Sequence, residues 1–150
     1  MVADTATRSE RQTAECINAR IQRLIEANVT YYANHSGEIG ARLGELDREW
    51  DVDRVVEAHA AGAVLAGILC GCVARKWRAL PLLAGGFLMV QALKGWYPAL
   101  PVLRRLGIRT AREISLERYA LKALRGDFGP ADPKEDVLAR AQKALAGARM

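Results

Sequence analysis

Apolar side chains recur every three or four residues at both ends of this chain and run almost unbroken through its middle. Near the start, Ile17, Ile21, Leu24, Ile25 and Asn28 share one helical face. This predicts a helix from residue 8 to about residue 32, behind a loose tail over residues 1–7. Tyr31 and Tyr32 fall near its end, and the stretch NHSG, residues 34–37, is a turn signal. Ile39, Leu43, Leu46 and Trp50 then step by four, three and four, which predicts a second amphipathic helix over about 37–50. Asp51 and Asp53 follow, where a carboxylate accepts from the unpaired first-turn N–H groups of a third helix.

The pattern changes at residue 54. Twenty residues between Arg54 and Arg75 contain one full charge, Glu57, and the stretch AHAAGAVLAGILCGCVA, residues 58–74, contains none. As a helix, Arg54 to Arg75 spans roughly 31 Å, against about 30 Å for a bilayer's hydrocarbon core. A basic tetrapeptide, Arg75-Lys76-Trp77-Arg78, separates this run from a second apolar run over residues 79–93. Trp77 and Trp96 bracket the second run at roughly 28 Å along a helix, and Tyr97 adjoins Trp96. Trp and Tyr concentrate at both membrane interfaces, and Lys94 is near enough to the end to extend its ammonium to water. The first run is apolar on every side. Two such runs, joined by a short basic tip that is hard to bury, predict a transmembrane hairpin with Arg54, Arg75, Lys76, Trp77, Arg78, Lys94, Trp96 and Tyr97 as interface anchors. Each uncharged run is shorter than the usual eighteen residues, so a buried pair in a soluble helical oligomer is the competing fold.

Beyond the second run, Pro98 and Pro101 are expected to stop the helix or turn it. Thr110 and Glu113 form a capping box for a helix that runs to about Arg125 and ends at Gly126. GPADP, residues 129–133, reads as a linker. Asp132, Pro133 and Glu135 suit the start of a last helix whose weak apolar face is Val137, Leu138, Ala141 and Leu145. The organisation expected is all-α: amphipathic N-terminal helices over 1–53, a two-span transmembrane hairpin over 54–103, and C-terminal cytoplasmic helices over 104–150.

Composition alters this picture little. The 150 residues are 51% hydrophobic and 26% charged, with a mean hydropathy of −0.04 that conceals the apolar centre. Residues 1–57 hold seven basic and eleven acidic groups, and residues 98–150 hold eleven and six. The formal charge of +5 is spread among acids, and no nucleic-acid-binding motif accompanies it, so a nucleic-acid partner is not expected. The first thirty residues include Arg8, Glu10, Arg11 and Glu15, with no apolar core of a cleavable signal. Basic residues near the span ends number seven on the terminal side (Arg42, Arg48, Arg54, Arg104, Arg105, Arg109, Arg112) and three at the tip, which predicts cytoplasmic termini.

Chemistry is sparse. Cys70 and Cys72 lie about 200° apart on a helix and cannot readily share one ion. They read as small packing residues, and Cys16 has no evident partner. No metal site, cofactor loop, nucleophile motif or small-molecule substrate is expected, and no catalysis. Glu57 and His59 sit at the mouth of the first run as interface groups. Ala63, Gly67 and Gly71, four apart, form a stripe along which another helix packs closely: Gly85, Gly86 or Ala92 of the second run, or the same stripe of another copy.

Two segments, ELDREWDVDRVVEAHAA before the first run and LKGWYPALPVLRRLGIRTAREISLERYALKALRGDF after the second, give the chain a resemblance to the YgaP-like inner-membrane transmembrane domain family. This is a bacterial domain of unknown function, and the likeness covers roughly residues 36–128. It implies a two-span hairpin in the bacterial inner membrane with cytoplasmic termini. The rhodanese domain that accompanies the family's eponymous member has no counterpart in residues 1–57. Where the family commonly carries a cysteine between Gly-Trp and Pro, this chain has Tyr97, so sulfur chemistry there is not implied. The role expected is a helix-association module in the lipid bilayer, acting as a homo-oligomer or an accessory subunit of a larger membrane complex. The alternatives are an oligomeric channel for a small ion or sulfur species and the soluble helical oligomer.

Overall fold

The computed structural model describes residues 13–94, 99–128 and 136–149, and these residues form helices and turns without a β-strand. In chain order the helices are α1 (Glu15–Asn34), α2 (Ile39–Arg48), α3 (Val52–Val73), α4 (Ala79–Lys94), α5 (Leu100–Arg105), α6 (Ala111–Arg125) and α7 (Val137–Ala148). Short 3₁₀ turns, Ser36–Glu38 and Arg75–Arg78, lead into α2 and α4. The helices fall into two compact units: those of one lie in a continuous stretch, Trp50–Ile108, and those of the other are discontinuous in sequence, Glu15–Glu49 with Arg109–Met150.

The discontinuous unit contains α1, α2, α6 and α7. Ile21, Ile25, Val29 and Ala33 recur every fourth residue on α1 and are buried against Ala120 of α6 and Ala141, Ala144 and Leu145 of α7. Leu24, placed on the buried face by its spacing, is exposed instead, because the face follows the i, i+4 line through Val29 and Ala33. On α2, Ile39, Leu43 and Leu46 are buried with Ile114 and Leu121 of α6. Trp50 is exposed, since the backbone turns extended at Glu49 and the step to residue 50 no longer follows the helix.

Helix α6 begins and ends where its sequence dictates. Thr110 Oγ1 accepts from the Glu113 N–H at 3.3 Å, and Glu113 Oε2 accepts from the Thr110 N–H at 2.8 Å. Gly126, at φ 91°, closes the far end in a left-handed conformation that a side chain would strain. On α7, Ala141 and Leu145 are buried as expected, joined by Ala144, whereas Leu138 is exposed. The expected cap at Asp132, Pro133 and Glu135 lies outside the described residues, and Asp136 precedes the first turn.

The continuous unit contains α3, α4 and α5. Asp51 Oδ1 accepts from the Arg54 N–H at 2.8 Å and caps α3. Asp53 lies inside the first turn, where the positive end of the helix dipole favours a negative charge. Helix α3 ends at Ala74, whose N–H still donates to Cys70 O at 2.9 Å while its own backbone is extended. After the 3₁₀ tip, α4 returns antiparallel along α3. Near Pro101 the chain makes a helix rather than only a turn. The proline occupies the opening positions of α5, where no N–H partner is missed. Leu100 is buried with Val52 and Val56 of α3, and Phe87, Leu88, Leu103 and Ile108 pack around them.

Candidate functional site

The hairpin is built around its smallest residues. Gly67 and Gly71 on α3 are buried. A Cβ added at Gly67 would lie 2.5 Å from Cδ of Pro81, 2.9 Å from its Cγ and 3.0 Å from Cβ of Leu80. One added at Gly71 would lie 3.1 Å from Cγ of Arg78, whose Nε donates to Gly71 O at 3.2 Å. The residues that face the stripe are therefore Leu80, Pro81 and Arg78. Gly85 and Gly86 do not face it, because a Cβ at either position meets nothing within 4 Å. Ala63 stands farther along, half-buried, across from Ala84.

The outer surface is hydrocarbon. Leu65, Leu69 (70% exposed) and Val73 (91%) on α3, and Leu82 (79%), Met89 and Leu93 on α4, all stand open. Among the described residues one stretch, within Ser36–Val73, is long and apolar enough to cross a membrane, and 22% of its apolar window is buried. Helix α4 is described over 16 residues, Ala79–Lys94, and these alone do not meet that measure. Of the two expected spans, the first alone meets that measure among the described residues.

Polar groups mark the ends. Arg75 and Lys76 are exposed at the tip beside the half-exposed Trp77, and Arg78 reaches back to the last turn of α3. At the other end the Arg54 guanidinium lies 4.9 Å from the centre of the Trp50 ring, a cation–π contact. Lys94 is the last described residue of α4, and its side chain, Trp96 and Tyr97 lie outside the described residues. Cys70 and Cys72, read as small packing residues compatible with lipid, stand exposed on the hairpin. Cys72 donates to Ile68 O at 3.4 Å, and Cys16 is exposed on α1. Among the described residues no cluster of three or more His, Cys, Asp or Glu could hold a metal.

The discontinuous unit contains a charged node that no sequence motif announces. Glu117 on α6 is fully buried. Its carboxylate accepts from Arg42 Nε at 2.9 Å, from Asn28 Nδ2 at 3.2 Å and from Arg109 Nη1. Arg109 also grips Glu49 with two nitrogens, Nε to Oε1 at 2.7 Å and Nη2 to Oε2. Burial alone lowers the pKa of Arg42 and Arg109, but hydrogen bonds and charge from their carboxylate partners outweigh it and raise both. The arginines are thus fixed cations facing fixed anions, a fastening rather than an acid–base pair. Glu49 and Arg109 are also the residues at which the chain leaves this unit and returns to it. One sequence signal could have exposed the node: Ile114, Glu117 and Leu121 step by three and four on a buried face, and a carboxylate there requires a cation.

No family model matches the chain, and no curated protein or solved structure matches it either. The YgaP-like resemblance therefore rests on the quoted segments alone.

Proposed function

We propose that this protein is a membrane module without catalytic activity, whose α3–α4 hairpin sits in a lipid bilayer and whose role is helix association, as a homo-oligomer or an accessory subunit. The observation that carries the reading is the bare hydrocarbon surface on both helices, bounded by Arg54 at one end and Arg75, Lys76 and Trp77 at the other. Water solvates such a surface poorly, and apolar patches beyond a few hundred Å² mark contact with lipid or protein. Helix α3, with 22 residues, is roughly 33 Å long and matches a bilayer core. The proposed location is the bacterial inner membrane with cytoplasmic termini, in line with the family resemblance and the distribution of basic residues.

A second reading, favoured by there being one stretch among the described residues that is long and apolar enough to cross a membrane, is a soluble oligomer in which copies cover one another's hairpins. Fractionation separates the two. Membrane residence predicts recovery in the high-speed pellet, retention through a carbonate wash and release by detergent. Recovery of the full chain in the supernatant without detergent would select the soluble oligomer. Cross-linking in native membranes then identifies the neighbours: a second copy or another subunit.

A further inference from the structure

Between α3, α4 and the start of α5 lies an open groove of about 340 Å³. Its walls include Ala60, Ala63, Ala84, Phe87 and Leu103, and among its described lining residues only His59 carries a polar side chain. We propose that this groove binds one acyl chain of a phospholipid, taken from the surrounding bilayer. The proposal rests on the membrane reading above and adds a specific lipid site to it.

Two physical constraints select the occupant. An ordered water needs two to four polar partners, and these hydrocarbon walls supply almost none. Left empty, the walls would lose dispersion contacts that a hydrocarbon restores. A single flexible chain meets the shape, and the alanines at positions 60, 63 and 84 make the space for it. His59 stands at the lip. Its Nδ1 lies 2.6 Å from Val55 O. A carbonyl only accepts, so Nδ1 carries the proton, and in the neutral ring Nε2 is left to accept from a lipid's polar end. The groove therefore has a hydrocarbon wall and one hydrogen-bonding corner, the two halves of a lipid.

The test uses the full chain in vesicles of phosphatidylethanolamine and phosphatidylglycerol, with a trace of phospholipid bearing a photoactivatable group midway along one acyl chain. Illumination and peptide mapping are expected to label Ala63, Ala84 and Phe87 several-fold more than the outward Leu82 and Leu93. Filling the groove with Ala63→Leu and Ala84→Leu is expected to reduce label at Phe87 several-fold while label at Leu82 is unchanged, which also reports that the hairpin is intact. Even labelling of groove and outer surface in the unmodified chain, or Ala84 cross-linked to a second copy instead of lipid, overturns the groove proposal and leaves membrane residence standing. Absence of label anywhere on the hairpin removes membrane residence itself.

Discussion

Glu117 shows what one residue settles in this molecule. It has no exposed surface, and its two oxygens hold Arg42, Asn28 and Arg109 together from three separate parts of the chain. Removing one partner of a buried charge set strands the others without solvent or counter-ion. Glu117→Ala is therefore expected to destabilise the protein by roughly 3–5 kcal/mol, measured by denaturant unfolding followed by circular dichroism. The raised pKa values of Arg42 and Arg109 give this node a defined pH dependence. Their contribution is complete at every pH below the ordinary arginine range and is lost only as pH rises through the elevated values, so neutral and mildly alkaline conditions leave the arginine side unchanged. Gly67 has the opposite character, since what matters there is the absence of a side chain. Gly67→Ala places a methyl 2.5 Å from the Pro81 ring and forces the helices apart, at a cost of about 1–3 kcal/mol. Combining it with Pro81→Ala is expected to recover part of that loss, read as a coupling energy in a double-mutant cycle.

At the level of elements, start and stop signals were legible where the chemistry is local. The Thr110–Glu113 box, the Gly126 terminator and the Asp51 cap involve residues no more than three apart or a single backbone conformation, and each is in place. Trp50 and Leu24 were misassigned to buried faces because periodicity extrapolates a helix past its true end or across a face whose edge the partner defines. The hairpin helices differ from the amphipathic ones in having no polar face to extrapolate from. Leu65 lies near the middle of α3 and is exposed. Leu65→Lys is expected to lower membrane insertion of α3, at a cost of about 2.5–3.5 kcal/mol for a central lysine, measured by a glycosylation-reporter insertion assay. A soluble oligomer would show no change in that assay.

Across the whole molecule, the consequence of chain order is that one unit is assembled from both ends. Residues 15–49 supply α1 and α2, residues 109–149 supply α6 and α7, and the core joins Ile21 and Ile25 to Ala141 and Leu145. Neither half has enough apolar surface to close a core alone. Deleting residues 109–150 is therefore expected to unfold α1 and α2, so that the amides of Ile21–Val29 lose hydrogen-exchange protection, while those of α3 and α4 keep theirs. Equal protection in both chains would show that the N-terminal helices fold without their partners.

The amino-acid sequence alone determined the helical class, most helix ends, the capping residues and the unbroken apolar surface of residues 58–74, because these follow from hydrogen bonds and periodicities within a few residues. Tertiary structure decided the rest. It set Pro81 and Arg78 against the glycine stripe, opened a groove beside Ala63, and joined Glu117 to Arg42 across 75 positions. Such pairings depend on which helix faces meet when the two ends of the chain share one core, and no short-range preference encodes that meeting.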